Sequence, residues 1–173
     1  MNKNIPFYIF AVGVFVIMKF WFRTFGNDQL LFLLYPTNSI IELITGDQAI
    51  YTSGSGFEHP RLNIIIEKSC SGYNFLLLCF LVLYFQSLKH SESLSEKAFQ
   101  LVQYLAIAYI STIFINASRI IISIILKHSA IDNFRISRHI IHESIGVVTY
   151  LTFLLFVSVI NEKLLNTKYA KLK

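Results

Sequence analysis

At 173 residues, 54% of them hydrophobic and 14% charged, the chain has too little polar surface for a soluble particle, since soluble domains carry roughly 25% charged residues. With a mean hydropathy of +0.57 it reads as an integral membrane protein. The net charge of +5 is no nucleic-acid signal, because four of the lysines lie in the C-terminal tail, where a basic tail beside a membrane span is a cytoplasmic anchor.

The expected fold is an all-α integral membrane protein with about four transmembrane helices, an amphipathic or re-entrant helix and a small outer β-hairpin. Residues 5–22 form the first membrane-length run, ending on Trp21 and Arg23 as interfacial anchors. No cleavable signal peptide is expected there: the run is too long and no small-residue cleavage site follows. Lys19, near the end of the run, is placed to snorkel to the interface. Residues 28–45 are apolar at many positions but interrupted by Pro36, Asn38 and Glu42. They predict a bent amphipathic helix lying on or dipping into the bilayer rather than a true span.

Residues 46–69 are polar and turn-rich. Gln48–Thr52 and Leu62–Glu67 have β-type composition, predicting a two-stranded unit whose second strand delivers Cys70 to a helix start. Spans are then expected over 73–88, 99–115 and 145–160. A short charged loop (89–97) follows the first of these, and a polar, basic segment (127–138) precedes the last. Residues 120–126 are expected to continue the third span as a helix bending along the interface. With the C-terminal tail inside, Cys70, Arg119 and His142 all fall at the outer membrane face, whether or not 28–45 crosses. The flanking cations divide seven against seven under that topology and do not choose an orientation themselves.

Cys70 sits where a polar segment turns into an apolar helix, beside Lys68 and near a helix start, a setting that favours a reactive sulfur. The other cysteine, Cys79, is nine residues on, about 13 Å along a helix and on its opposite side. A disulfide between them is therefore not expected. Ser71 and Gly72 follow Cys70. Gly72 would let another backbone or a substrate approach, and main-chain N–H groups at this helix start are candidates for holding an oxyanion. Asn74 is expected one turn on from Cys70, on the same face. Asn116 and Arg119 share a helix face at i, i+3, and an arginine beside a cysteine supplies fixed donors for developing negative charge. His142, followed by Glu143 and by Gly146 one turn later, is the candidate general base. His59, His128 and His139 are expected to be loop residues. No metal or other cofactor is expected: His142-Glu143 begins like a zincin motif but lacks the second histidine at i+4.

Taken together, Cys70-Ser71-Gly72, Asn116-x-x-Arg119, and His142 four residues before Gly146 resemble the pattern of the exosortase/archaeosortase family, in its compact form called exosortase K. The resemblance covers roughly residues 28–160. It implies a single exosortase-like membrane domain over 1–173 in a cell (inner or plasma) membrane, with the active site facing outside the cytoplasm. It implies a cysteine transpeptidase or protease acting on exported proteins with a C-terminal sorting signal: a short motif, a transmembrane helix and a basic tail. Cys70, Arg119 and His142 would be catalytic, with Asn116 and Asn74 orienting them. The small number of spans implies a homo-oligomer or an open lateral entrance for the substrate helix. Partners would be the signal-bearing protein and membrane lipid, not nucleic acid. The rival expectation is a non-enzymatic polytopic membrane subunit for transport or assembly, in which Cys70, Arg119 and His142 are individually replaceable.

Overall fold

A computed structural model describes residues 4–91, 93–128 and 138–170, with the side chains of 127, 128 and 138–143 outside the description. The elements run in the order α1 (Ile5–Trp21), α2 (Leu31–Thr45), β1 (Ile50–Thr52), β2 (Gly56–His59), β3 (Ile64–Ile66), α3 (Tyr73–Leu88), α4 (Leu94–His128) and α5 (Arg138–Ala170). Short 3-10 turns cover Phe22–Thr24, Asp28–Leu30 and Lys68–Cys70. Among the described residues, four helical stretches are long and apolar enough to cross a membrane: Ile5–Thr24, Lys68–Leu88, Leu94–Leu126 and Ser144–Ala170. The chain is thus a mostly helical membrane protein. The stretches containing α1 and α5 bury almost none of their apolar surface within the protein, as expected of helices that face lipid.

The chain divides into two compact units. The first comprises Met1–Thr24, Asn74–Ser111 and Thr152–Lys173. Here α1 runs antiparallel to α3. Asn4 Nδ2 donates to the Leu88 carbonyl at 2.5 Å, Tyr8 packs edge-on to Phe85, and Lys19 Nζ donates to Asn74 Oδ1 at 2.5 Å. Polar side chains tie the helices together: Gln86 donates to Ser158 (2.6 Å), Asn161 donates to Gln86 (2.8 Å), and the Tyr169 hydroxyl donates to Glu96 (2.6 Å). The segment 89–97, expected as a loop, already turns helical at Leu94. Ser93 accepts the Glu96 N–H at 3.1 Å, and the Ser-x-x-Glu spacing is that of a capping box.

The second unit comprises Phe25–Tyr73 and Thr112–Leu151. Its core is built from Leu30, Leu33, Leu34, Ile41, Phe57 and Ile66, all buried. The β structure is a three-stranded antiparallel sheet in the order β1-β2-β3, with Tyr51 opposite Phe57 and Phe57 opposite Ile66. This corrects the two-stranded expectation: a central strand lies within what reads as turn sequence. The first residue of that strand, Gly56, has φ +101°, and a Cβ there would collide with the Ile66 carbonyl oxygen. The glycine that reads as a turn signal is a point of close strand approach.

Along α2, Thr37 and Asn38 are buried together with Leu33, Leu34 and Ile41, while Phe32, Tyr35, Leu43 and Ile44 face outward. His59, expected in a loop, lies on β2 and is fully buried. Its Nε2 donates to Asn38 Oδ1 at 2.8 Å, and its Nδ1 lies 3.6 Å from the Asp47 carboxylate. Of the residues that break the apolar pattern of 28–45, Asn38 serves this internal network, and Glu42 accepts the Ala49 N–H at 2.8 Å. Past Arg119, α4 continues as one helix through His128, with Ser123 donating to the Arg119 carbonyl at 2.9 Å. His128 and His139, expected in loops, have helical backbone.

Candidate active site

Cys70 ends a 3-10 turn rather than starting a helix. The turn is closed by the Cys70 N–H to the Glu67 carbonyl at 2.7 Å and the Ser71 N–H to the Lys68 carbonyl at 3.1 Å. The turn is anchored from the segment before α2. Asn27, buried, accepts the Lys68 N–H at 2.6 Å through Oδ1 and donates to the Gly54 carbonyl at 2.6 Å through Nδ2. Lys68 Nζ donates to the Phe25 carbonyl at 2.6 Å. So Lys68, expected to act on the sulfur by its charge, uses its ammonium to hold the chain.

Ser71 is buried, and its Oγ accepts the Tyr73 N–H at 3.3 Å. Its own N–H is committed to the turn, so Ser71 shapes the entry into α3. Gly72 has φ +70°, a left-handed conformation that L side chains rarely adopt. A Cβ there would also meet Thr112 Cγ2 at 3.0 Å and Asn116 Cγ at 3.2 Å. Gly72 is what allows the main chain after Cys70 to lie directly against α4.

Asn116 is fully buried and donates through Nδ2 to the Cys70 carbonyl. A carbonyl oxygen only accepts, so the amide orientation is determined, and Asn116 Oδ1 is left as an acceptor. It receives the hydroxyl proton of Tyr150 at 2.7 Å. The Tyr150 oxygen in turn accepts from Arg119 Nη1 at 3.1 Å. The result is a directed chain from the Arg119 guanidinium through Tyr150 and Asn116 to the main chain of Cys70. Arg119 is only 7% exposed, its Cζ lies 5.4 Å from the centroid of the Tyr150 ring, and it packs on Gly146. The Cys70 sulfur is 3.7 Å from Ser69 Oγ.

Five of the residues singled out from the sequence therefore meet in one unit: Cys70, Ser71, Gly72, Asn116 and Arg119. Asn74 is exposed, belongs to the other unit and accepts from Lys19. Because Cys70 precedes the helix, the one-turn spacing from Cys70 to Asn74 does not exist. His142 falls on α5 four residues before Gly146, and its side chain lies outside the described residues. Tyr150 is the participant that sequence reasoning missed. The signal was present, since Tyr150 follows Gly146 by one helical turn and His142 by two, on one face of α5. Comparison of the chain with family models, curated proteins and solved structures finds no match.

Proposed function

We propose that the chain is a membrane cysteine transpeptidase or protease of the exosortase type, which cleaves C-terminal sorting signals of exported proteins at the outer membrane–water interface. The observation that carries this reading is the hydrogen-bonded chain Arg119–Tyr150–Asn116–Cys70, which joins the Cys-Ser-Gly segment to the Asn-x-x-Arg segment. A buried arginine tied in this way to the main chain of a cysteine supplies a fixed positive charge where negative charge develops during acyl transfer.

In the proposed reaction the Cys70 sulfur attacks the scissile carbonyl and its proton passes to His142. Arg119 stabilises the tetrahedral oxyanion. Collapse breaks the C–N bond, the leaving amine takes the proton from His142, and a thioester remains on Cys70. An amine or water then attacks the thioester and gives its proton to His142. The second collapse breaks the C–S bond and returns the proton to sulfur. No metal or cofactor takes part. In this reading the protein lies in the cell membrane with Cys70 outside the cytoplasm. The three-stranded sheet is the outer element, and α2 lies in the interface with Phe32, Tyr35, Leu43 and Ile44 toward lipid. The substrate's own membrane helix would pack on the spans and hold the scissile bond in place.

The test is co-expression with an exported protein that carries such a signal, using the wild type and Cys70→Ala, and reading the substrate's C-terminus by gel shift and mass spectrometry. Loss of the basic tail with the wild type alone establishes the nucleophile, and the mass of the new end identifies the acceptor. Identical processing with both proteins excludes the cysteine mechanism.

A further inference from the structure

We propose that Tyr150 is a positioning residue of this site, whose hydroxyl holds the Arg119 guanidinium and, through Asn116, the Cys70 main chain in one register. The inference rests on the reading of Cys70 as a nucleophile and adds to it a residue that none of the three sequence motifs contains.

Tyr150 touches both functional side chains of α4. Its oxygen accepts from Arg119 Nη1 at 3.1 Å, and its proton goes to Asn116 Oδ1 at 2.7 Å. A phenol has one proton, and this one is committed. The direction of every bond from guanidinium to Cys70 carbonyl is thereby set, and each donation polarises the next. The ring contributes as well, with Arg119 Cζ 5.4 Å from its centroid. Gly146 and Tyr150, one turn apart on α5, act as a pair. The glycine leaves space for the guanidinium, and the tyrosine fixes its far end. As charge builds at the reaction centre, a guanidinium already held in place need not reorganise, which is where fixed donors outperform water. Tyr150 exchanges no proton with substrate; it acts through Arg119 and Asn116.

The test uses the full chain in detergent micelles, in a Cys79→Ala background that leaves Cys70 as the single thiol. The probe is iodoacetamide, and the rate of Cys70 alkylation is followed by intact mass across the neutral and alkaline range. Tyr150→Phe is expected to slow alkylation about tenfold, the worth of one charge-assisted hydrogen bond, and to move the pH–rate profile upward. In an Arg119→Gln background the same substitution is expected to change nothing further, because its effect passes through Arg119. An unchanged rate and profile for Tyr150→Phe would overturn the proposal. So would full, independent losses in the double variant. Should Tyr150→Phe fail to fold, a fluorinated tyrosine at position 150 keeps the hydroxyl in place while altering its donor strength. A shifted profile then supports the role, and a superimposable one removes it. Failure of the peptidase reading shows separately: no sorting signal cleaved, with the Tyr150–Arg119 coupling intact, removes the substrate assignment and leaves the role of Tyr150 standing.

Discussion

Arg119 occupies the space that a side chain at Gly146 would need: a Cβ at position 146 would stand 2.9 Å from Arg119 Nε and 3.3 Å from Cζ. The near atoms belong to a buried guanidinium tied to Tyr150, so relief comes by displacing the charged group. Gly146→Ala is expected to lower the rate of signal cleavage by about 10²-fold, the effect of a shift of about 1 Å at a reacting group. The thermal midpoint should stay near that of the wild type. A normal rate with a lowered midpoint would show that the glycine serves packing alone.

Asn116 should be costly to replace. Asn116→Ala removes the bond to the buried Cys70 carbonyl, at about 1–3 kcal/mol for a group left unsatisfied, and also the acceptor of the half-buried Tyr150 hydroxyl. Asn116→Asp keeps an acceptor for Tyr150 but sets a carboxylate against the Cys70 carbonyl. Unfolding in denaturing detergent is expected to rank wild type above both variants.

Gly72→Ala combines an unfavourable backbone region with contacts to Thr112 and Asn116 at 3.0 and 3.2 Å. The left-handed conformation alone costs roughly 1–2 kcal/mol for a residue with a Cβ. The same detergent titration should show a loss of at least this size, accompanied by slower alkylation of Cys70 as the turn moves off α4.

The sheet carries an acid-sensitive latch. Asp28 accepts from the Tyr51 hydroxyl, the Ser53 hydroxyl at 2.8 Å and the Gly54 N–H at 3.3 Å. These bonds, the one from Tyr51 foremost, hold its carboxyl below the ordinary value of 3.8. The same bond raises the Tyr51 phenol. A carboxyl with a lowered pKa in the folded state contributes stability that is whole above the unfolded value. That stability is lost as pH falls through the folded one. Amide exchange across β1 and β2 is therefore expected to quicken as pH drops below 3.8, beyond the intrinsic trend. In Asp28→Asn that added dependence should vanish.

Much of the fold is legible in the sequence, and the reason is physical. A helix immersed in lipid must be apolar on every face that meets lipid, so the spans announce themselves as continuous runs; α3 covers the same residues, 73–88, as its run. Helix ends are less legible. Past the membrane-length apolar cores, α4 and α5 continue through sequences that contain no Gly or Pro, so nothing local stops them. The central strand β2 is hidden for a different reason. Its inward residues Phe57 and His59 are separated by exposed Glu58, and their burial depends on β1 and β3 pairing from either side.

The sequence by itself determined that this is a membrane protein and drew attention to Cys70, Asn116 and Arg119. A thiol, an amide and a guanidinium beside apolar runs are rare enough to be noticed one by one. Only the tertiary structure decided how they are joined. The bond from Asn116 to Cys70 spans 46 positions and that from Tyr150 to Asn116 spans 34, and no local pattern encodes either. Packing decided likewise that Asn74 bonds Lys19, and that Asn38 and His59, which read as an interruption and a loop residue, face each other in a buried bond. Hydropathy is a property of single residues summed along the chain. Hydrogen-bond partnership is a property of pairs, and for pairs so far apart it exists only once the helices have packed.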